Sequence, residues 1–439
     1  MIRFTTPWGD LDLTRFPQDP RDQLRAWDAA DAYALRHLAD TRADTRADAR
    51  ADARADARAD ARGETRTDPR ADPPGDARAA SRPAAQADGA AGGRPAVGSV
   101  DLSGTVVVVG DRWGALTTAL AAHRPTQISD SFLAQEATRA NLLRNAPEEA
   151  DGVRLLSTRD TPPDRIDVLL IRVPKSLALL EDQLHRLAPA VHEGTVVVGT
   201  GMTTEIHTST LNLFERILGP TRTSLAEKKA RLIFCAPAAG RTRTPSPWPI
   251  AYALPDGIGA VSGRTVTNHA GIFCAERLDI GTRFLLQHLP VRHGPDRVVD
   301  LGCGNGVVGT AAALANPDSA VLFADESHQA VASAEATFRA NADPGTKAEF
   351  LVADGLTGVP AESADLVLLN PPFHSHQATT DITARRMFTA ARTVLRPGGE
   401  LWVIGNRHLG YHLRLRRLFG TCDIVASDPK FVILRATKS

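Results

Sequence analysis

Asn370-Pro-Pro-Phe373 is the segment of this chain whose residue types most narrowly specify a chemistry. An asparagine carbonyl and the main-chain carbonyl after it can accept both hydrogens of a planar amine. Such acceptors aim the nitrogen lone pair outward and favour positive charge on nitrogen. An aromatic amine otherwise resists that charge, because its lone pair is delocalised into the ring. Prolines cannot donate to a sheet ladder, so Pro371 and Pro372 stop the preceding strand and stiffen the loop. Phe373 offers a face on which a base can stack. His374 follows, and suits a phosphate contact or a cap as well as a catalytic role. On its own the tetrapeptide is also a plain strand-ending turn.

An upstream segment decides between those readings. Asp300-Leu-Gly-Cys-Gly-Asn-Gly306 lies between a strand pattern and a helix pattern. Gly302, Gly304 and Gly306 permit a tight turn and a close approach of backbone to a ligand, with Asn305 inside the turn. Asp300 ends the strand directly before the glycines, where a carboxylate can meet a cationic amino group. The spacing is GxGxG rather than the GxGxxG of dinucleotide binders. These features point to S-adenosylmethionine. Asp325 ends the next strand about twenty residues beyond the loop, where ribose hydroxyls are held in such folds, and Glu326 can share that role. Asp354 ends the third strand, on the adenine side. A sulfonium carries its own reactivity, so neither a strong base nor a metal is required.

Strand and helix patterns alternate around these segments. The second half shows strands at 297–300, 320–325, 349–354, 365–369, 400–404 and 430–435, with a helix at 307–315. The first half shows strands at 105–109, 167–171 and 195–198, with helices at 115–122 and 177–187. Alternation predicts an α/β protein with a doubly wound, mostly parallel sheet in each half. If Gly114 matches Gly306, Val108 stands at the place of Asp300 and Arg112 at that of Gly304. Leu170-Ile-Arg-Val-Pro-Lys175 then stands where Leu368-Leu-Asn-Pro-Pro-Phe373 stands. The first half reads as a copy that has lost its chemistry; two unrelated α/β domains are the alternative.

The 439 residues suffice for two or three domains at about 150 residues each, and the total charge balances at 51 basic and 51 acidic side chains. Cys235, Cys274, Cys303 and Cys422 form no CxxC pair, which argues against a disulfide framework or a zinc ribbon. No signal-like apolar region opens the sequence, and no apolar run approaches the roughly 18 residues of a membrane span. The expectation is a soluble cytoplasmic protein without membrane or metal partners. From Thr41 to about Arg62 the chain repeats Arg-Ala-Asp-Ala with period four, placing like charges at i, i+4, and a looser Pro/Gly/Ala/Asp/Arg stretch follows to about Ser99. With 11 Arg against 10 Asp/Glu and little to bury, residues 41–100 read as a disordered insertion. From Arg385 onward, 11 Lys/Arg face 3 Asp/Glu. Arg407, His408, Arg414, Arg416 and Arg417 concentrate this charge, which suits either a phosphate backbone near the active site or a solvated amphipathic helix.

The glycine loop and Asn370-Pro-Pro-Phe-His374 together resemble the ribosomal RNA guanine-N2 methyltransferases, and within them most closely the large-subunit (23S) branch, with the small-subunit (16S) branch as sister. Supporting stretches are Ala26-Trp-Asp-Ala-Ala-Asp31, Ile206-His-Thr-Ser-Thr210, Leu278-Asp-Ile-Gly281, Ala324-Asp-Glu-Ser327, Gly405-Asn-Arg-His-Leu409 and Lys430-Phe-Val-Ile-Leu434. The resemblance implies two tandem Rossmann-like class I methyltransferase domains, the N-terminal one degenerate and aiding RNA binding. It assigns 1–40 to the start of the first domain, 41–100 to the insertion, 101–240 to the degenerate domain and 241–439 to the catalytic one. It implies methylation of a guanine in ribosomal RNA, in a loop or flipped out of a helix, by a chain expected to be monomeric. The tetrapeptide chemistry would equally serve a DNA adenine or a protein glutamine, and a non-catalytic assembly factor is the remaining alternative. The departures are the insertion and Asp354-Gly355, where relatives can carry amides.

Overall fold

The computed structural model describes residues 3–18, 24–39, 99–238, 240, 244–372 and 377–439, the side chains of 377–381 excepted. The Arg-Ala-Asp repeat, Phe373 and His374 lie outside the described residues.

The first half opens with a hairpin of β1 (Phe4–Thr6) and β2 (Gly9–Leu11), followed by α1 (Ala29–Ala39). After the repeat come β3 (Val106–Val109), α2 (Ala115–Ala119), β4 (Thr126–Ser129), α3 (Phe132–Asn145), β5 (Arg154–Ser157) and β6 (Ile166–Arg172). Then follow α4 (Leu177–Leu187), β7 (Val191–Met202), α5 (Thr208–Ile217), β8 (Thr221–Thr223) and β9 (Ala230–Cys235). The second half repeats this order. Its hairpin is β10 (Ile250–Ala253) with β11 (Thr265–Asn268), followed by α6 (Ile280–Leu286). Next come β12 (Arg297–Leu301), α7 (Val307–Ala315), β13 (Ala320–Asp325), α8 (His328–Asn341), β14 (Lys347–Val352) and β15 (Ala364–Leu369). The chain ends with α9 (Gln377–Val394), β16 (Leu395–Asn406), α10 (Tyr411–Phe419), β17 (Asp423–Ser427) and β18 (Phe431–Thr437).

Each half builds a seven-stranded sheet, ordered β5-β4-β3-β6-β7-β9-β8 and β14-β13-β12-β15-β16-β18-β17. Five neighbouring strands are parallel, and the last two run antiparallel. The central strands are apolar runs because helices cover both faces: Val106–Val109 is buried at every residue, as are Leu366–Leu369. Strand order reverses between β3 and β4 on one side and β6 on the other, and likewise at β12. That reversal is the topological switch point where ligands bind in open α/β sheets.

The internal match expected from sequence holds in register. Val106 pairs with Val168 in the first sheet, and Val298 with Leu366 in the second. Counting along the strands, Val108 stands at Asp300, and Arg172 stands at Asn370. Gly114 and Gly306 both precede a helix in left-handed conformation, at φ 76° and 72°. A Cβ at either would lie 2.6 Å from the Cα of a facing helix residue, Thr138 or Ala334. The same glycine thus lets the same pair of helices approach in both halves.

Three sequence expectations shift. The strand placed at 349–354 ends at Val352, so Asp354 sits in the turn beyond it. β4, β5, β8, β17 and both hairpins, being short or half-exposed, lie outside the strands expected from sequence, as does the largely buried β9. The basic segment near the C-terminus becomes α10, which buries Tyr411, Leu415 and Phe419 on one stripe and exposes Arg416 and Arg417. Among the described residues no helix is long and apolar enough to cross a membrane.

Candidate functional site

Above the carboxyl ends of β12, β13 and β15 lies a cleft of about 980 Å³, lined by the glycine loop, Asp325, Asp354 and Asn370 to Pro372. The sequence-predicted residues that the structure describes here come together, although they run from Asp300 to Pro372 along the chain. Each sits at the end of a parallel strand or in the turn after it.

The glycine loop is built for approach. Gly302, Gly304 and Gly306 all have positive φ, at 70°, 52° and 72°. A Cβ on Gly304 would meet nothing within 4 Å, so the space beside it is open for a ligand. Asp300 is buried and its Oδ2 accepts from Gly309 N at 2.8 Å, tying the strand end to α7. Burial pushes its carboxyl up to about 7, against the stabilising Gly309 bond, with Asp325 adding to the rise. A bound cation would draw it back to the ionised form. Asp325 accepts from Gly304 N and Ser327 N, both at 3.0 Å, and burial raises its pKa as well. Asn305 is used internally: Nδ2 donates to Asn268 Oδ1 at 3.0 Å, joining the loop to β11.

Asn370 carries the most informative pattern. Its Nδ2 donates to Thr282 Oγ1 at 2.9 Å. Thr282 Oγ1 in turn donates to Asp279 Oδ2 at 3.2 Å. That carboxylate is also the N-cap of α6, accepting from Thr282 N at 2.9 Å. A carboxylate accepts only, so the hydroxyl proton points at Asp279 and the hydroxyl lone pair faces Asn370. The amide is therefore oriented with its nitrogen engaged. Its oxygen is buried, lacks a hydrogen-bond partner and belongs to a cleft-lining residue. A buried carbonyl without a partner costs about 1–3 kcal/mol, which a ligand donor would recover. Asp279 and Thr282 were not singled out by sequence reasoning; the available signal was an Asp-x-x-Thr helix start. Tyr252 was missed too. Its hydroxyl is buried and lacks a hydrogen-bond partner on the same cleft wall, and burial pushes its pKa up to about 12.

The structure adds partners to two sequence-predicted acids and places one basic cluster elsewhere. Glu326 lines the cleft beside Asp325 and also faces the first half. Its carboxylate accepts from Ser131 Oγ of the first half at 2.6 Å, and burial raises it to about 7. The contact is reciprocal, since Asp130 accepts from Ser327 Oγ at 2.6 Å and from Gln329 N at 2.8 Å. Equivalent turns, one from each half, thus clasp each other, which a reading of one half in isolation cannot show. Asp354 is already engaged by Arg386 of α9 in an ion pair. Arg407, His408, Arg414, Arg416 and Arg417 do not line the cleft; its basic residues are Lys175, Arg277, Arg385 and Arg386.

In the first half the matching place is filled. Arg172, 1% exposed, lies where Asn370 lies and bonds Asp28 at 2.6 Å and Glu205 at 2.8 Å, with Asp31 at 3.4 Å. Asp28 and Asp31 start α1 as Asp279 and Thr282 start α6. Arg112, at the place of Gly304, bonds Glu205 at 2.7 Å. Burial would raise Glu205, yet the two guanidiniums hold it at about 2. Side chains thus occupy the space that the second half leaves open.

A doubly wound sheet, an acid-and-glycine turn at its switch point and an amide oxygen presented at the fourth strand end define an S-adenosylmethionine-dependent methyltransferase of Rossmann-like fold. Residues 1–51 and 96–239 match the RLMG N-terminal domain model, and 263–435 match the methyltransferase small domain model. The ribosomal RNA large subunit methyltransferase G of Streptomyces avermitilis is 67% identical over 434 residues, covering 99% of this chain and 98% of that protein. Its namesake in Streptomyces griseus is 62% identical over 438 residues and the whole of both chains, and that of Pseudomonas aeruginosa 42% over 439 residues. The chain belongs to the ribosomal RNA large subunit methyltransferase G family. In fold it is similar to a T. thermophilus 16S rRNA N2 methyltransferase solved with AdoMet and guanosine (TM-score 0.64, 20% identity, 76% of this chain and 88% of that one).

Proposed function

We propose that this chain transfers a methyl group from S-adenosylmethionine to the exocyclic N2 amine of a guanine in 23S ribosomal RNA. The observation that carries this reading is the buried Asn370 oxygen, held outward by Thr282 and without a donor of its own. The names of the curated relatives support ribosomal RNA as substrate, and the guanosine-bound neighbour supports guanine.

The open space beside Gly304 and the buried acids fit the cofactor. Gly302 and Gly304 would lie against it, Asp300 would meet its ammonium and Asp325 its ribose. Asp354, held by Arg386, would face the adenine edge. Bound S-adenosylmethionine supplies an electrophilic methyl group on a sulfonium. Asn370 Oδ1 and the Pro371 carbonyl accept the two amine hydrogens and stabilise positive charge on nitrogen. Pro372 stiffens this wall, Phe373 stacks on the base, and the spare proton leaves to water. His374 and the Arg407, His408, Arg414, Arg416 and Arg417 cluster fit contacts to more distant phosphates. The degenerate half, 101–240 with 1–40, aids RNA binding, and 241–439 carries the chemistry. The chain acts as a monomer in the cytoplasm, where its substrate is.

Ribosomal RNA lacking guanine-N2 marks, incubated with labelled S-adenosylmethionine and digested to nucleosides, tests this. N2-methylguanosine should form with wild type and fall at least a hundredfold with Asn370→Ala. Mapping the fragment to 16S instead of 23S RNA, or finding label in adenine only, would overturn the assignment.

A further inference from the structure

The cleft is charged unevenly. Asp279, Asp300, Asp325, Glu326 and Asp354 line it, a composition that suits a cationic cofactor and opposes phosphate. Lys175, Arg277 and Arg385 also line it, are exposed, and form no ion pair among the described residues. Two of these cations belong to the catalytic half. Lys175 does not: it follows β6 of the degenerate half, at the place that Phe373 takes in the catalytic one.

Its position is fixed from both sides. Lys175 directly precedes Ser176, the N-cap of α4. Asp182 of α4 accepts from Gln329 Nε2 of the catalytic half at 3.1 Å. The reciprocal Asp130–Ser327 and Ser131–Glu326 bonds hold the same junction. A lysine carried on this junction is presented at the mouth of the other half's cleft. Among the described residues no acid pairs with it there, although five line the cleft.

A nucleotide entering base first leaves its flanking phosphates at the mouth. There they meet an acidic interior behind and need cations beside them. We infer that Lys175, together with Arg277 and Arg385, grips the phosphates flanking the target nucleotide. The degenerate half thereby completes the substrate side of the active site directly. This rests on the RNA substrate proposed above.

The test uses the full chain, unmarked ribosomal RNA and a potassium chloride series. Lys175→Ala should raise the KM for RNA about fivefold, Lys175→Glu more, with kcat within about twofold, and the salt dependence of binding should lose a slope of about 0.7, one single-strand phosphate contact. Lys175→Arg should restore both. S-adenosylmethionine affinity by calorimetry and the melting temperature should match wild type in all three. An unchanged RNA KM in Lys175→Glu overturns the inference; so does a KM rise matched by equal loss of cofactor affinity, which would place Lys175 on the cofactor. Should wild type leave the RNA unmethylated, the functional reading fails instead. Filter binding of the same RNA then still tests Lys175, and equal affinity of wild type and Lys175→Glu would overturn the grip.

Discussion

Replacing Thr282 by valine should slow methyl transfer without loosening the fold. Thr282 is 8% exposed, and valine fills nearly the same volume, so packing persists. Its backbone N–H still reaches the Asp279 cap. What disappears is the acceptor 2.9 Å from Asn370 Nδ2. Leaving that amide nitrogen unpaired costs about 1–3 kcal/mol. The amide can escape the cost by turning over, which presents N–H groups where the amine hydrogens must be accepted. If the competent orientation loses that stabilisation, kcat falls roughly tenfold to a hundredfold, at 1.36 kcal/mol per factor of ten. Thr282→Ser keeps a hydroxyl and should stay within about threefold. Single-turnover methylation at saturating cofactor and RNA is the assay, with calorimetric S-adenosylmethionine binding as the control. A valine variant that is folded, binds cofactor and transfers methyl at the wild-type rate would refute the oriented-amide argument.

Two more outcomes follow from buried charge. Asp300 must be ionised to meet an ammonium, and its carboxyl is raised to about 7 chiefly by burial. Below that pH, binding must displace a proton, so S-adenosylmethionine affinity should weaken by up to about tenfold per unit as pH falls from 7 towards 5.5. Calorimetry across that range, with Asp300→Asn binding weakly and showing a flatter trend, checks it; a flat wild-type profile sinks the role. Arg172→Met removes the cation shared by Asp28, Asp31 and Glu205. Losing one side of a buried ion cluster typically costs about 3–5 kcal/mol, so thermal unfolding should shift strongly downward; an unchanged melting temperature would show that the cluster contributes nothing.

The sequence by itself determined the alternation of strand and helix, the glycine turn and the proline-stopped strand, because each depends on neighbours a few residues apart. Gly306 needs a positive φ and closeness to a facing helix, and only glycine meets both. Asn370 is announced by the prolines beside it. The matching plan of the two halves was also legible, since both keep the same run of strand ends and glycines. Only the tertiary structure decided which side chains those segments meet. Thr282 is 88 positions from Asn370, and no local pattern links an N-terminal helix turn to a strand end that far away. Glu326 has the residue type of a ribose ligand and lines the cleft, yet its carboxylate also accepts from Ser131 of the other half; a strand-end acid carries no mark of which surfaces it will face. The arginines of 407–417 were legible as charge, while α10 turns its apolar stripe to the sheet and keeps them out of the cleft. Lys175 is a single lysine in sequence, and only the clasp between the two halves brings it to the other half's cleft.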